Sequence, residues 1–318
     1  MLSLNYYGYG LLVFSLLISL AAAASAGLAR PASAQTPQTS LRFFGTGSGD
    51  VDRVKIPLDN PHRPVDVGGD FTLEFWINAS PGSNTSAPCQ ESSSSDTWTN
   101  GNIILDRDIF GDGDYGDYGV SLYGGRIAFG TTVGSSRRTI CGSSDLRDGQ
   151  WHHVAVTRQS TSGEMRIFVD GQLQKTANGP VGNLSYRDGR STSYPNSDPY
   201  LVIAAEKHDY DPSTYPSFNG WIDEVRISNN IRYTGNFTPP TQPFTPDANT
   251  VALYHFDSAP GACNGQVSGS SDSSGQNNHG QCKYGGNPPN QGPQFVADSP
   301  FFSNIIYNYR VYLPLVRR

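Results

Sequence analysis

The sequence predicts an all-β chain, a two-sheet antiparallel β-sandwich of the jelly-roll kind. Short apolar segments alternate with period two, and nowhere does a long 3.6-residue apolar pattern run. Gly 35, Pro 22, Tyr 17 and Phe 15 against Met 2 describe many short strands with punctuated turns. Two-residue turn signals, Gly124-Gly125 and Asp170-Gly171, join neighbouring apolar runs as hairpins.

The ends of the chain set the compartment. Leu11 to Ala26 is apolar apart from Ser and Gly, and Ala32-Ser33-Ala34 supplies the small residues that signal peptidase accepts. Residues 1–34 therefore read as a signal peptide, although no Lys or Arg lies in Met1 to Gly10. An uncleaved anchor is the alternative, but the run is shorter than the roughly 20 residues a span requires. A secreted or cell-surface chain follows, with no transmembrane segment after cleavage. The formal net charge of -6 argues against nucleic acid, which needs a basic stripe. Four cysteines in an exported chain imply two disulfides, and three pairings exist. Cys89 with Cys141 and Cys263 with Cys282 is the expected pairing, because each pair then lies in or beside irregular Ser/Gly-rich segments. No Cys-x-x-Cys occurs, so the spacings fit no zinc pattern.

Taken in order, Leu41 to Phe44 opens the first strand and Val51 to Pro57 alternates as a second. Phe71 to Ile77 carries Phe71, Leu73, Phe75 and Ile77 on one face and Trp76 on the other, which suits a central strand. Ser80 to Gly101 is poor in hydrophobics and reads as a surface insertion held by Cys89. Asn102 to Leu105 is a short apolar strand. Asp106 to Asp117 follows as an acidic loop, with Phe110 at the third ligand position and no closing Glu, so it is no EF-hand. It is either a weak calcium loop or a solvated glycine-rich turn. Tyr118 to Tyr123 and Arg126 to Thr131 pair across Gly124-Gly125, and Thr139 to Cys141 extends that pairing.

Trp151 to Arg158, Met165 to Asp170 and Gln172 to Thr176 form the central meander. Trp151, His153, Ala155 and Thr157 fall on one side of the first of these strands, and His152, Val154 and Val156 on the other. The adjacent His152 and His153 thus point apart and cannot both ligate one metal. Tyr200 to Ala205, Phe218 to Ile227 and Val251 to Asp257 are the remaining strands. Residues 284–303 read as a Pro/Gly/Asn linker, and 304–318 as a short apolar tail ending in Arg317-Arg318.

Four motifs, in this order, resemble one family. Phe71-Thr72-Leu73-Glu74-Phe75-Trp76-Ile77, Asp148-Gly149-Gln150-Trp151-His152-His153-Val154-Ala155, Phe168-Val169-Asp170-Gly171 and Phe218-Asn219-Gly220-Trp221-Ile222-Asp223-Glu224-Val225-Arg226-Ile227 resemble the laminin G-like jelly-roll domain of the concanavalin A-like lectin/glucanase superfamily. The domain is placed at residues 41–283. The resemblance implies two sheets packed face to face and no built-in chemistry. The glucanase relatives imply a Glu-x-Asp-x-x-Glu strand supplying nucleophile and acid. Here the glutamates are Glu74, Glu91, Glu164, Glu206 and Glu224, and none has that spacing.

The expected function is a secreted, non-catalytic binding module for carbohydrate or an extracellular or cell-surface protein. The alternatives are a structural or adhesive envelope module and a glycoside hydrolase with an unrecognised site. The superfamily resemblance also implies a calcium ion at the sandwich rim, as a hard cation with oxygen ligands. Asp272, Asn277, Asp257 and Asp70 are the expected metal residues, and an ion-free Asx turn is the alternative at Asp272. Sugar binding needs an aromatic platform with polar neighbours, and Tyr210, Tyr215, His208 and Tyr115 supply that composition on two loops.

Overall fold

The computed structural model describes residues 38–59, 61–109, 116–186, 194, 196, 198–208, 211–265, 270–286 and 291–301. The expected signal peptide, the tail 304–318, Tyr115 and Tyr210 lie outside the described residues. Its strands are β1 (Ser40–Phe44), β2 (Arg53–Pro57), β3 (Phe71–Asn78), β4 (Asn102–Arg107), β5 (Gly116–Tyr123), β6 (Arg126–Val133), β7 (Ser136–Cys141) and β8 (Trp151–Arg158). The second half adds β9 (Glu164–Val169), β10 (Gln172–Asn178), β11 (Tyr200–Ile203), β12 (Asn219–Ser228), β13 (Thr250–Tyr254), β14 (Gly261–Ala262), β15 (Gln281–Lys283) and β16 (Gln294–Val296). One short 3-10 turn, Thr97–Asn100, interrupts the β pattern.

Two antiparallel sheets result. One runs β10-β9-β8-β3-β12-β1-β16-β14, with β13 also paired to β12, and the other β15-β2-β11-β4-β5-β6-β7. Period-two alternation explains why they stack. Leu73, Phe75 and Ile77 of β3, Val154 and Val156 of β8, Leu41 and Phe43 of β1 and Ile222 of β12 share the core with Ile56, Leu105, Val120, Leu122, Phe129 and Ile140 of the opposite sheet. Residues of opposite parity face outward, and much of that outward surface is also covered.

Local chemistry sets the strand ends. The hairpins at Gly124-Gly125 and Asp170-Gly171 have left-handed φ at both central residues, as the twist-matched two-residue turn demands. β11 and β13 stop short of the expected Ala205 and Asp257 because Ala204 (φ 74°) and Phe256 (φ 53°) leave extended geometry. β12 has β3 on one edge, while its other edge pairs β1 through residues 219–222 and β13 through 225–228. The change of neighbour falls at a bulge after Asp223, where Glu224 has φ 50°.

Both disulfides form in the expected pairing, Cys89–Cys141 and Cys263–Cys282. Part of the segment expected to be linker is structural: Gln294–Val296 slots between β1 and β14. Three residues are too few to show an alternation, and their pairing draws on backbone groups. Among the described residues no helix is long and apolar enough to cross a membrane.

Candidate functional site

The outer face of the seven-stranded sheet begins with small residues. Gly119 and Gly130 on β5 and β6 leave a slot, and the Trp98 ring fills it so closely that a Cβ at either glycine would overlap the indole. Trp98 is fully buried with Ile103, Tyr123 and Ala128, and Tyr215 and Cys89 pack against the group. The Ser80–Gly101 insertion is therefore a cover rather than a free surface loop. Asp96 binds Thr132 Oγ1 at 2.5 Å and Arg137 Nε at 2.8 Å, and Cys89 clasps it to β7.

Beside that cover lies a layer of charge. Asp106 at the end of β4 points outward, and its Oδ2 accepts the Lys207 backbone N–H at 2.9 Å while Oδ1 accepts that of Asp108 at 2.8 Å. Lys207 Nζ and His208 Nε2 both meet Asp198 Oδ1, at 2.8 and 2.5 Å, and His208 Nδ1 meets Glu206 Oε1 at 2.9 Å. Tyr194 lies edge-on to His208 with ring centroids 5.1 Å apart. The acidic loop and the aromatic excursion, separate candidates in the sequence, thus meet in one place.

Carboxylates outnumber cations here, and the protonation states respond. Burial, then the charges of Glu206 and Asp108, pushes Asp106 up to about 7. Burial likewise raises Asp108, and it raises Asp117 well above the carboxylate range with Asp108 adding to the effect. Burial alone would lower His208, but hydrogen bonds to Asp198 and Glu206 outweigh it and push it up to about 9. The layer holds protons that exposed groups would release.

The outer face of the nine-stranded sheet carries a second buried network. Glu74 on β3 is fully buried and accepts Arg226 Nε and the Tyr233 hydroxyl, each at 2.8 Å. Burial would raise its pKa, but His153 and Arg226 hold it below the usual value. The chain after β12 crosses this face, stacks Tyr233 on Phe237 at 3.6 Å, and is closed by Arg232 bound to both oxygens of Asp247. Every contact is one of internal packing, and Glu74 is no exposed acid.

The four expected metal residues are not brought together. Asp272 accepts the backbone N–H groups of Leu253, Ser274 and Asn278 and the Ser274 hydroxyl, at 2.7–2.9 Å. Asp70 accepts the Ser160 N–H and hydroxyl, and Asp257 accepts the Thr39 N–H and Gln38 Nε2. Asn277 sits in the left-handed region and gives its carbonyl to Arg63. Among the described residues no three His, Cys, Asp or Glu side chains are grouped so as to hold a metal ion. Of the expected ligand residues, His208 joins the charged layer and Tyr215 packs on the Trp98 group. Sequence reasoning missed Trp98, whose glycine slot is distant in the chain, and Asp198 and Lys207, which meet each other across β11 while Lys207 reaches Asp106, 101 residues away; the local signal at Trp98 was an isolated Trp in a Ser-rich run.

A family profile described as the concanavalin A-like lectin/glucanases superfamily matches residues 48–233, more than half of the chain. The chain belongs to that superfamily. A protein from Bacteroides ovatus named as a candidate carbohydrate-binding protein is 15% identical, over 78% of this chain and 58% of its own, with a TM-score of 0.45. Mouse laminin alpha1 domains LG4-5 are 17% identical over 76% of this chain and 55% of theirs, with a TM-score of 0.41. A 46-residue stretch is 41% identical to the sushi, von Willebrand factor type A, EGF and pentraxin domain-containing protein 1 of Rattus norvegicus. It spans 14% of this chain and 1% of that protein. In this superfamily member no glutamates have the Glu-x-Asp-x-x-Glu spacing of the glucanase strand, and the outer face of the seven-stranded sheet carries Trp98 and Asp106.

Proposed function

We propose that the chain is a secreted, non-catalytic module that binds carbohydrate or a protein–glycan surface, with calcium support. What supports this is the use made of its acids. Glu74 is consumed by Arg226 and Tyr233, Asp223 by Ser299 and the Glu224 N–H, and the Asp106 group by Lys207, His208 and backbone donors. A glycosidase needs a pair of acids facing a shared substrate bond. With much of both sheet faces covered by the chain itself, recognition falls to the loops, where a rigid sandwich normally carries it, and to the part of a sheet face that stays uncovered.

Calcium support rests on the excess of carboxylates over cations at Asp106, Asp108, Asp117, Asp198 and Glu206, which a divalent cation would neutralise. The described side chains do not form a ready site, so a chelator experiment decides it. The secreted protein is applied to a glycan array with calcium and again with chelator. Binding to defined glycans supports the module, loss with chelator supports the ion, and silence in both conditions sinks the binding reading in favour of a structural envelope module. Hydrolysis of an arrayed polysaccharide, abolished by one carboxylate substitution, would overturn the non-catalytic assignment.

A further inference from the structure

One part of the nine-stranded sheet lies clear of the 229–249 crossing segment and is bordered by residues 298–301, where Trp151 Nε1 donates to Asp298 Oδ1 at 3.1 Å and Phe301 packs edge-on to Trp76. Strand register places Trp151 of β8 opposite Asn78 of β3, Asn78 opposite Trp221 of β12, Trp221 opposite Arg42 of β1, and Arg42 opposite Gln294 of β16. Partners in register share a face, and the flanking Ile77, Ile222, Leu41 and Phe295 all enter the core, so these five side chains form one outward row. Four strand spacings of ~4.8 Å make it roughly 19 Å long. Trp151, Trp221, Arg42 and Gln294 are each part-exposed along it.

Two features of the row are unspent. The Arg42 guanidinium lies between the Phe44 and Trp221 rings, 4.5 and 4.4 Å from their centroids, and donates to Asn219 Oδ1 and Gly220 O. Among the described residues no carboxylate stands within ion-pair distance of it, and the other N–H groups of its fork remain for a ligand. Asn78 is only 7% exposed, and its Nδ2 is fixed on the Gly149 carbonyl at 3.1 Å, yet its Oδ1 has no partner. A buried acceptor without a donor costs free energy unless a ligand hydroxyl completes it.

We infer that this row is a binding platform for an acidic oligosaccharide, one bearing uronate carboxylates. Trp221 and Trp151 offer flat apolar faces to the C–H side of sugar rings. Arg42, held between two rings, forms the two-pronged pair that a carboxylate fits and a neutral sugar does not. The inference rests on the binding-module reading above, and it specifies both the ligand class and the face.

The test uses the full secreted chain, titrated calorimetrically with a galacturonate oligomer and with its methyl ester at constant ionic strength. The acid is expected to bind and the ester to bind about tenfold more weakly, as the loss of one charge-assisted pair predicts. Arg42→Gln should remove that preference, Arg42→Lys should restore only part of it, and Trp221→Ala should weaken both ligands. An unchanged thermal transition in Arg42→Gln shows that the sheet is intact, and Arg42→Lys serves if it is not. Equal binding of acid and ester, or acid binding untouched by Arg42→Gln, overturns the platform while leaving the module reading standing. No binding by the chain to any glycan on the array removes both.

Discussion

Raising the pH from 5 to 9 should destabilise this protein steadily, and the charged layer around Asp106 is the reason. The unfolded chain ionises an ordinary aspartate near 3.9, whereas the folded state holds the Asp106 proton until about 7. Between those values the unfolded state binds fewer protons, so stability falls as pH rises, by about 1.4 kcal/mol per pH unit and about 4 kcal/mol in all. Above 7 the loss is complete. His208 extends the decline: its folded value of about 9 exceeds the unfolded 6.5, so its contribution is fully present below 6.5 and is lost as pH rises through 9. The two windows join end to end. Calorimetric Tm values in chelator-containing buffer should drop between pH 4 and 7 by an amount on the order of 8 °C. Asp106→Asn loses one acceptor for the Asp108 or Lys207 N–H and so starts lower, but its slope over that window should be flatter. A wild-type Tm that is level or rising from pH 5 to 7, or an Asp106→Asn profile parallel to wild type, would refute the account. Calcium added at pH 8 should recover part of the loss if the layer takes up the ion.

Trp98→Ala should cost about 3–5 kcal/mol by urea unfolding, because it empties the slot over Gly119 and Gly130; an effect under 1 kcal/mol would mean that the insertion is not anchored there. Mutating both cysteines of the Cys89–Cys141 bridge to Ala releases a 52-residue loop, worth about 4 kcal/mol in the chain-entropy description. For Cys263–Cys282, with 19 residues, the figure is about 3 kcal/mol, and the order of the two losses in matched melts is the check. Glu74→Gln should cost about 3–5 kcal/mol, since it strands Arg226 beneath the crossing segment. Proteolysis should then cut between residues 229 and 249, and a variant as resistant as wild type would show that the segment is held by its aromatic stack alone.

What the sequence revealed, and what it hid, follows from the range of the interactions. Strands with a buried face write themselves into period-two alternation, so β3, β8 and the hairpins at Gly124-Gly125 and Asp170-Gly171 could be read residue by residue, whereas the bulge at Glu224 breaks the alternation between Ile222 and Val225 of β12. The cysteine pairing could be read because each pair joins an irregular Ser/Gly-rich segment to its surroundings, Cys89 to the end of β7 and Cys263 to β15. The outward surfaces could not. Lys207 meets Asp106 only after β11 has been laid beside β4, and Trp98 looks like a stray aromatic until two glycines from different strands are seen beneath it. Asp272, expected to bind a metal, carries an Asx-type signature, and that short-range bond to the Ser274 N–H is one the structure displays, whereas Asp70 is taken up by Ser160, 90 residues away in the chain.

The distribution of polar cost across the two sheets separates packing from recognition. Where a charge is buried for structure it comes with an explicit answer: Glu74 has Arg226 and Tyr233, Lys207 has Asp198, and Arg158 donates to four backbone carbonyls. Half-answered groups occur elsewhere too, at Arg107 and Asp198 among others, but Arg42 and Asn78 stand together on one part-exposed row, each flanked by tryptophan. Leaving an acceptor or a cation underused costs on the order of 1–3 kcal/mol, and the fold uses only part of either residue: Arg42 donates to Asn219 and Gly220, and Asn78 to the Gly149 carbonyl. If Arg42→Leu raises stability while it removes uronate binding, the cost is one the fold carries for a ligand; if stability falls, the Phe44–Arg42–Trp221 stack is itself the reason for the arginine.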